Sequence, residues 1–144
     1  LKSNESEILP FETSYQISHL IASPNGIVLI AIDKAGFSVI FNLKGYFTIA
    51  EFNFKGVVIT AQFSPDGELF AIAQDHGFIV YRSPCLFRTF EPFVLVKKYK
   101  NRHSSNITAI RFLPDNRFLL TAGEDNIIYI NNLFTVEGYI AITL

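Results

Sequence analysis

The tetrapeptide Ser23-Pro24-Asn25-Gly26 returns as Ser64-Pro65-Asp66-Gly67 and again as Leu113-Pro114-Asp115-Asn116, each time between two short apolar runs. A supersecondary unit copied along a chain fixes the architecture before any single residue is interpreted. The interval is roughly 40–50 residues, and a unit of that span holding several strands is the period of a β-propeller blade. The turn itself has a mechanism. Pro presets φ near −65°, Asn or Asp bonds the local backbone, and Gly accepts a positive φ. Asn116 replaces Gly in the third copy, and Asn is the next most tolerant of that conformation.

Aligned on these turns, the copies spell out the same strands. The first holds Ile17 to Ile21, Ile27 to Ile32 and Phe37 to Leu43. The second holds Val58 to Phe63, Leu69 to Ala73 and Phe78 to Arg82. The third holds Ile107 to Phe112, Phe118 to Ala122 and Ile127 to Asn132. Five or six residues is a meander strand length. Between copies, Tyr46 to Phe54, Phe93 to Tyr99 and Tyr139 to Leu144 fit a fourth, outer strand, and the alternation of Thr48 to Phe54 is that of a half-exposed one. The expected fold is therefore all-β: about three four-stranded antiparallel blades, with units at 16–54, 58–99 and 107–144. Residues 1–15 would be a leading strand or an extension. Three such blades cannot close a ring of the usual 4–8. The open wedge should expose the apolar faces of both end blades, unless further blades, self-association or the termini cover them.

Composition agrees and narrows the function. The 144 residues are 49% apolar and 17% charged, with 15 Phe, 6 Tyr and no Trp. That excludes disorder over most of the chain and favours strands. A net charge of −1 offers no global attraction to nucleic acid or anionic lipid, so any such contact must be local. The longest wholly apolar run, Ile27 to Ile32, is far short of the ~18 residues of a membrane span. A lone cysteine, Cys85, makes no internal disulfide and points to a reducing compartment. The first residue is Leu and no signal peptide follows, which suggests a piece of a longer intracellular protein.

The pattern Phe-Ser-Pro-Asp-Gly, small residues, Asp and then a β-rich strand, clearest from Phe63 to Tyr81, resembles the WD-repeat family. The repeats are degenerate. Phe41, Tyr81 and Asn131 stand where the family ends a strand with Trp, and Asn42, Arg82 and Asn132 follow where it has Asp. The preceding Gly-His is missing except for His103. Phe52-Asn53-Phe54-Lys55-Gly56, Phe93-Val94-Leu95-Val96-Lys97-Lys98-Tyr99 and the stretch Ile107 to Asp125 further resemble the N-terminal propeller of periodic tryptophan protein 2 homologues, over about Leu9 to Asn132. That resemblance implies a nucleolar scaffold with two propellers in the UTP-B subcomplex of the small-subunit processome. Its partners would be other protein subunits of a large ribonucleoprotein assembly, with contact to pre-ribosomal or small nucleolar RNA. It implies no catalysis, cofactor, membrane or small-molecule substrate. The alternative is an adaptor in a ubiquitin-ligase or trafficking complex.

Individual side chains carry weaker signals. Asp33, Asp75 and Asp125 each fall in the second turn of a unit, where a carboxylate accepts backbone N–H bonds. A feature copied with its unit is scaffold before it is active site. Asp75-His76 could be read as base and orienter, as a propeller hydrolase would require, but no nucleophile motif accompanies them. His19, His76 and His103 lack metal spacing. His103 reads instead as a hydrogen-bonding residue where a strand begins. The densest basic run is Lys97, Lys98, Lys100 and Arg102, with Tyr99 able to stack on a base. It is the candidate RNA contact, weighed against a solvated loop. Arg82, Arg88 and the apolar linker from Ser83 to Glu91 are lesser candidates.

Overall fold

The computed structural model describes residues 6–84, 91–135 and 139–143. Among these residues twelve strands form three four-stranded sheets, every neighbouring pair antiparallel. The first sheet holds β1 (Ile17–Ala22), β2 (Val28–Asp33), β3 (Phe37–Asn42) and β4 (Phe47–Asn53). The second holds β5 (Thr60–Phe63), β6 (Leu69–Gln74), β7 (Gly77–Arg82) and β8 (Val94–Tyr99). The third holds β9 (Ile107–Phe112), β10 (Phe118–Gly123), β11 (Ile127–Asn132) and β12 (Tyr139–Thr143). No helix crosses any of them. The fold is that of an unclosed β-propeller of three blades. β5 is shorter than its sequence suggests and starts at Thr60. Ahead of it, Val58 is already buried in the core and the Ile59 N–H donates to the Ala73 carbonyl.

The repeated turn works through its serine as well as its proline. The Ser23 hydroxyl donates to Asn25 Oδ1 (2.6 Å) and accepts from the Val28 N–H (3.0 Å). Ser64 does the same with Asp66 and the Leu69 N–H. Leu113 has no hydroxyl, so the third turn lacks the serine bonds and keeps Asn116 N–H to the Leu113 carbonyl, Leu113 N–H to the Phe118 carbonyl and Arg117 N–H to Asp115 Oδ1 (3.0 Å). Asn116 takes φ 62°, close to the 73° and 78° of Gly26 and Gly67. Its Oδ1 also accepts the Asp66 N–H at 2.9 Å, so the replacement of Gly links the second turn to the third.

Burial explains why the strands read as they do. The central strands β6 and β7 are covered on both faces. Phe70, Ile72 and Ile79 pack toward the first sheet with Ile30, Ile32, Ile40 and Phe54, while Ala71, Ala73, Phe78 and Val80 pack toward the third with Ile107, Ile110, Leu119 and Leu133. Covered on both faces, a strand needs no polar alternation, so β6 and β7 are almost wholly apolar. The two ends of the wedge differ. Ala31, Val39 and Phe41 of the first sheet face away from the second and are nonetheless buried, because residues 6–15, which form no strand, lay Leu9 and Phe11 over them. The Phe11 and Phe37 ring centroids are 6.1 Å apart. The expectation of two exposed end faces therefore holds at one end only. On the third sheet Leu120, Ile128 and Ile130 stay partly open and Ile140 and Ile142 are exposed.

Candidate functional site

The basic run occupies the corner where β8 leaves the outer rim and crosses to β9. Strand alternation sends Lys97 and Tyr99 toward the third sheet and Lys98 and Lys100 the other way. Lys97 Nζ donates to the Asn132 carbonyl (3.1 Å) and to the Thr135 carbonyl. The Arg102 guanidinium lies over three tyrosine rings, 4.2 Å from Tyr99, 4.3 Å from Tyr139 and 5.5 Å from Tyr129. Its Nε is buried and makes no hydrogen bond among the described residues, so the ring faces carry much of its desolvated charge. Lys97 and Arg102 thus tie the outer strands of the second and third sheets together. Lys98 and Lys100 remain exposed and line a groove of about 470 Å³ with Gln74, Asp75, His76 and Asn101.

Beside this corner runs a buried polar chain. His103 Nδ1 meets Asp125 Oδ1 at 3.0 Å, and its Nε2 meets the Thr121 hydroxyl at 2.9 Å. Asn131 Nδ2 donates to the Leu119 carbonyl (2.9 Å) and to Thr121 Oγ1 (3.3 Å). Asp125 also accepts the Ser104 and Ile127 N–H groups. Burial pushes the Asp125 carboxyl up, but the His103 and backbone bonds, with the His103 charge, outweigh it and hold the carboxyl below its ordinary value. Hydroxyl, imidazole and carboxylate in series are the parts of a nucleophilic relay. Here Thr121 is 1% exposed and His103 2%, so no substrate carbonyl can reach the hydroxyl. The chain instead fastens β9, β10 and β11.

The three turn acids do not share one station. Asp33 is the last residue of β2, Asp75 the first of the two-residue loop between β6 and β7, and Asp125 the second of the three-residue loop between β10 and β11. Asp33 is buried and accepts Thr13 Oγ1 (2.5 Å) and the N–H groups of Ala35 (2.8 Å) and Phe37 (3.0 Å). Burial pushes its carboxyl up, yet these bonds win and lower it. Asp75 is exposed at φ 49°, and it is its carbonyl that works, accepting the Ile107 N–H at 2.8 Å. The neighbouring His76 carbonyl accepts the His103 N–H. No hydrogen bond joins the His76 ring to the Asp75 carboxylate among the described residues. His19 binds the Ile59 carbonyl across the first two sheets (2.9 Å). Among the described residues no three His, Cys, Asp or Glu side chains are grouped as a metal site. Cys85, Phe87, Arg88 and Phe90 lie outside the described residues. Arg82 is exposed beside Asp66, Glu68 and Arg117.

Sequence reasoning missed Tyr129, Tyr139 and Thr121, and took Asn131 only as a lost Trp. It also missed Gln74, which donates to the Phe54 and Gly56 carbonyls, and Gln62, which accepts the Phe112 N–H. The polar residues among them sit in otherwise apolar strands, which is the signal that could have marked them.

Residues 94–132, which run from β8 through the polar chain to the end of β11, match the family model described as WD domain, G-beta repeat. The sequence matches the periodic tryptophan protein 2 homologue of Schizosaccharomyces pombe at 33% identity over 96% of the chain. It matches those of Saccharomyces cerevisiae and Mus musculus at 32% over 87%. The chain is similar to periodic tryptophan protein 2 and carries a WD repeat. It spans 16%, 14% and 14% of the length of these relatives. Solved structures show the same fold. The β-propeller domain of Cps50 (Swd1) from Myceliophteria thermophila superposes with a TM-score of 0.72 at 14% identity, over 89% of this chain and 43% of that one. U3-55K superposes with 0.75 at 12%, over 95% and 42%. In both, the three sheets occupy less than half of the larger structure.

Proposed function

We propose that this chain is a non-catalytic protein-interaction scaffold of ribosome biogenesis, part of the first propeller of a UTP-B subunit in the nucleolar small-subunit processome. The observation that carries the reading is the identity to periodic tryptophan protein 2 homologues along nearly the whole chain. The geometry is in keeping with it. Hydroxyl, imidazole and carboxylate in series are sealed inside the third blade, and the polar groups that bridge blades are spent on holding surfaces in place. The units at 16–54, 58–99 and 107–144 serve as its blades, and the carboxylates Asp33 and Asp125 as their turn braces.

RNA contact is narrowed to Lys98 and Lys100. Lys97 and Arg102 are engaged within the fold, and the Tyr99 ring is already covered by Arg102 and by Phe78 at 5.0 Å. Two ammonium groups on one groove wall can meet the phosphates of a strand that runs along the rim.

Affinity purification of the tagged protein from nucleolar extract tests the scaffold reading: co-purification of processome proteins and small nucleolar RNA is expected. Recovery with cullins or vesicle coats, and no such RNA, overturns it in favour of the adaptor. Ultraviolet crosslinking then tests the RNA contact by itself, with Lys98→Glu/Lys100→Glu expected to lower the crosslinked fraction several-fold. An unchanged fraction removes the contact and leaves the scaffold standing.

A further inference from the structure

Among the described residues no further strand pairs outward of β4, β8 or β12, so each ends its sheet at the rim. A free edge is a row of unpaired N–H and C=O groups, and it invites another strand unless charge, proline or a bulge blunts it. β4 carries Glu51 and a register shift opposite Ile40 and Phe41. β8 carries Lys97 and Lys98 and a register shift opposite Val80 and Tyr81. β12 has no such device. Its sequence, Tyr139-Ile140-Ala141-Ile142-Thr143, holds no charge and no proline, and all five residues pair with β11 in unbroken register, from Tyr139 opposite Asn131 to Thr143 opposite Ile127. All five are exposed, Ile140 at 62%.

The strand is also its own complement. Laid antiparallel on a second β12 about a two-fold axis through Ala141, it places Ile140 opposite Ile142, Tyr139 opposite Thr143 and Ala141 opposite itself. Apolar meets apolar on one face, no like charges oppose, and the same patch serves both sides, as a closed two-fold contact requires. We propose that β12 is a docking edge for a second copy of this chain, which pairs antiparallel with it and joins two four-stranded sheets into one continuous sheet. The contact uses the rim, so it leaves the open face of β10 and β11 free for another sheet. It goes beyond the scaffold reading and does not depend on it.

Sedimentation velocity of the 144-residue chain, run from about 1 to 100 µM to cover modest affinities, is expected to show the 16.3 kDa monomer giving way to a dimer. Amide exchange of Tyr139–Thr143 should slow as the dimer forms. Ala141→Lys sets like charges against each other at the axis and should restore the monomer with an unchanged circular dichroism spectrum. Thr143→Lys is the second variant should Ala141→Lys misfold. Thr48→Lys, on the edge of β4, should leave the dimer intact. A wild-type chain that stays monomeric throughout overturns the proposal. So does a dimer that survives the β12 lysines, or one whose β12 amides exchange as freely as in the monomer.

Discussion

The ring of Phe93 packs against that of Phe54 with centroids 5.1 Å apart, and both side chains are buried. The contact joins two sequence stretches, Phe52 to Gly56 and Phe93 to Tyr99, that the repeat pattern places around the outer strands of successive units. Phe93 also meets Phe52 (4.9 Å), Phe70 (5.4 Å) and Tyr81 (5.4 Å), so one side chain just before β8 closes the aromatic cluster between the first and second sheets. Phe93→Ala should cost about 3–5 kcal/mol, as large-to-small changes at packed aromatic sites do. Urea unfolding should show a lower midpoint with an unchanged slope. A loss under 1 kcal/mol would mean that the cluster collapses onto the cavity.

Asp75 and Asp125 look interchangeable in the sequence and should behave oppositely. Asp75 is exposed, and at φ 49° it holds a conformation that Asn tolerates equally, so Asp75→Asn should change stability by no more than about 0.5 kcal/mol. Asp125→Ala strands the His103 Nδ1 and the Ser104 N–H and should cost about 1–3 kcal/mol. Thermal melts of the two variants side by side check the contrast.

How much of this was legible follows from distance along the chain. Strands and turns are local, so the repeated turns and apolar runs placed all twelve strands within two residues at every end. The fate of the basic run was half legible. Simple alternation along Val94–Tyr99 already separates Lys97 from Lys98, but two of the three tyrosines that receive Arg102 lie on β11 and β12, and only the folded third sheet brings them near. Leu9 and Phe11 gave no sign of covering Ala31, Val39 and Phe41, because a few apolar residues without strand or helix periodicity fix no partner. The acids misled for a further reason: Asp33 and Asp125 hold different stations in hairpins of equal loop length, and the loop that carries Asp75 is one residue shorter.

Acid should act through Asp33 and Asp125. Both carboxyls are held below their ordinary values in the folded chain, so the unfolded chain binds these protons more tightly. Their contribution is fully present above the unfolded pKa of about 4 and drains away as pH falls through the lower folded values. Stability should therefore drop steeply below about pH 4. Asp33→Asn should start less stable at neutral pH and show a shallower acid limb. An acid limb as steep as the wild type would mean that Asp33 does not carry the effect.

Arg102 tests whether the outer strands are tied together by a stacked cation or by charge alone. A guanidinium can spread over Tyr99, Tyr129 and Tyr139 at once, whereas an ammonium is a compact, strongly hydrated point charge that stacks poorly. Arg102→Lys keeps the charge and should still lose about 1–2 kcal/mol, the scale of a desolvated cation–π contact. Arg102→Ala should lose somewhat more, through the packing of its stem. Hydrogen exchange locates the damage: amides of β8 and β12 should open faster in both variants, while those of β2 and β3, at the far end of the wedge, keep their protection. If Arg102→Lys matches the wild type, the positive charge and not the stacking holds the corner.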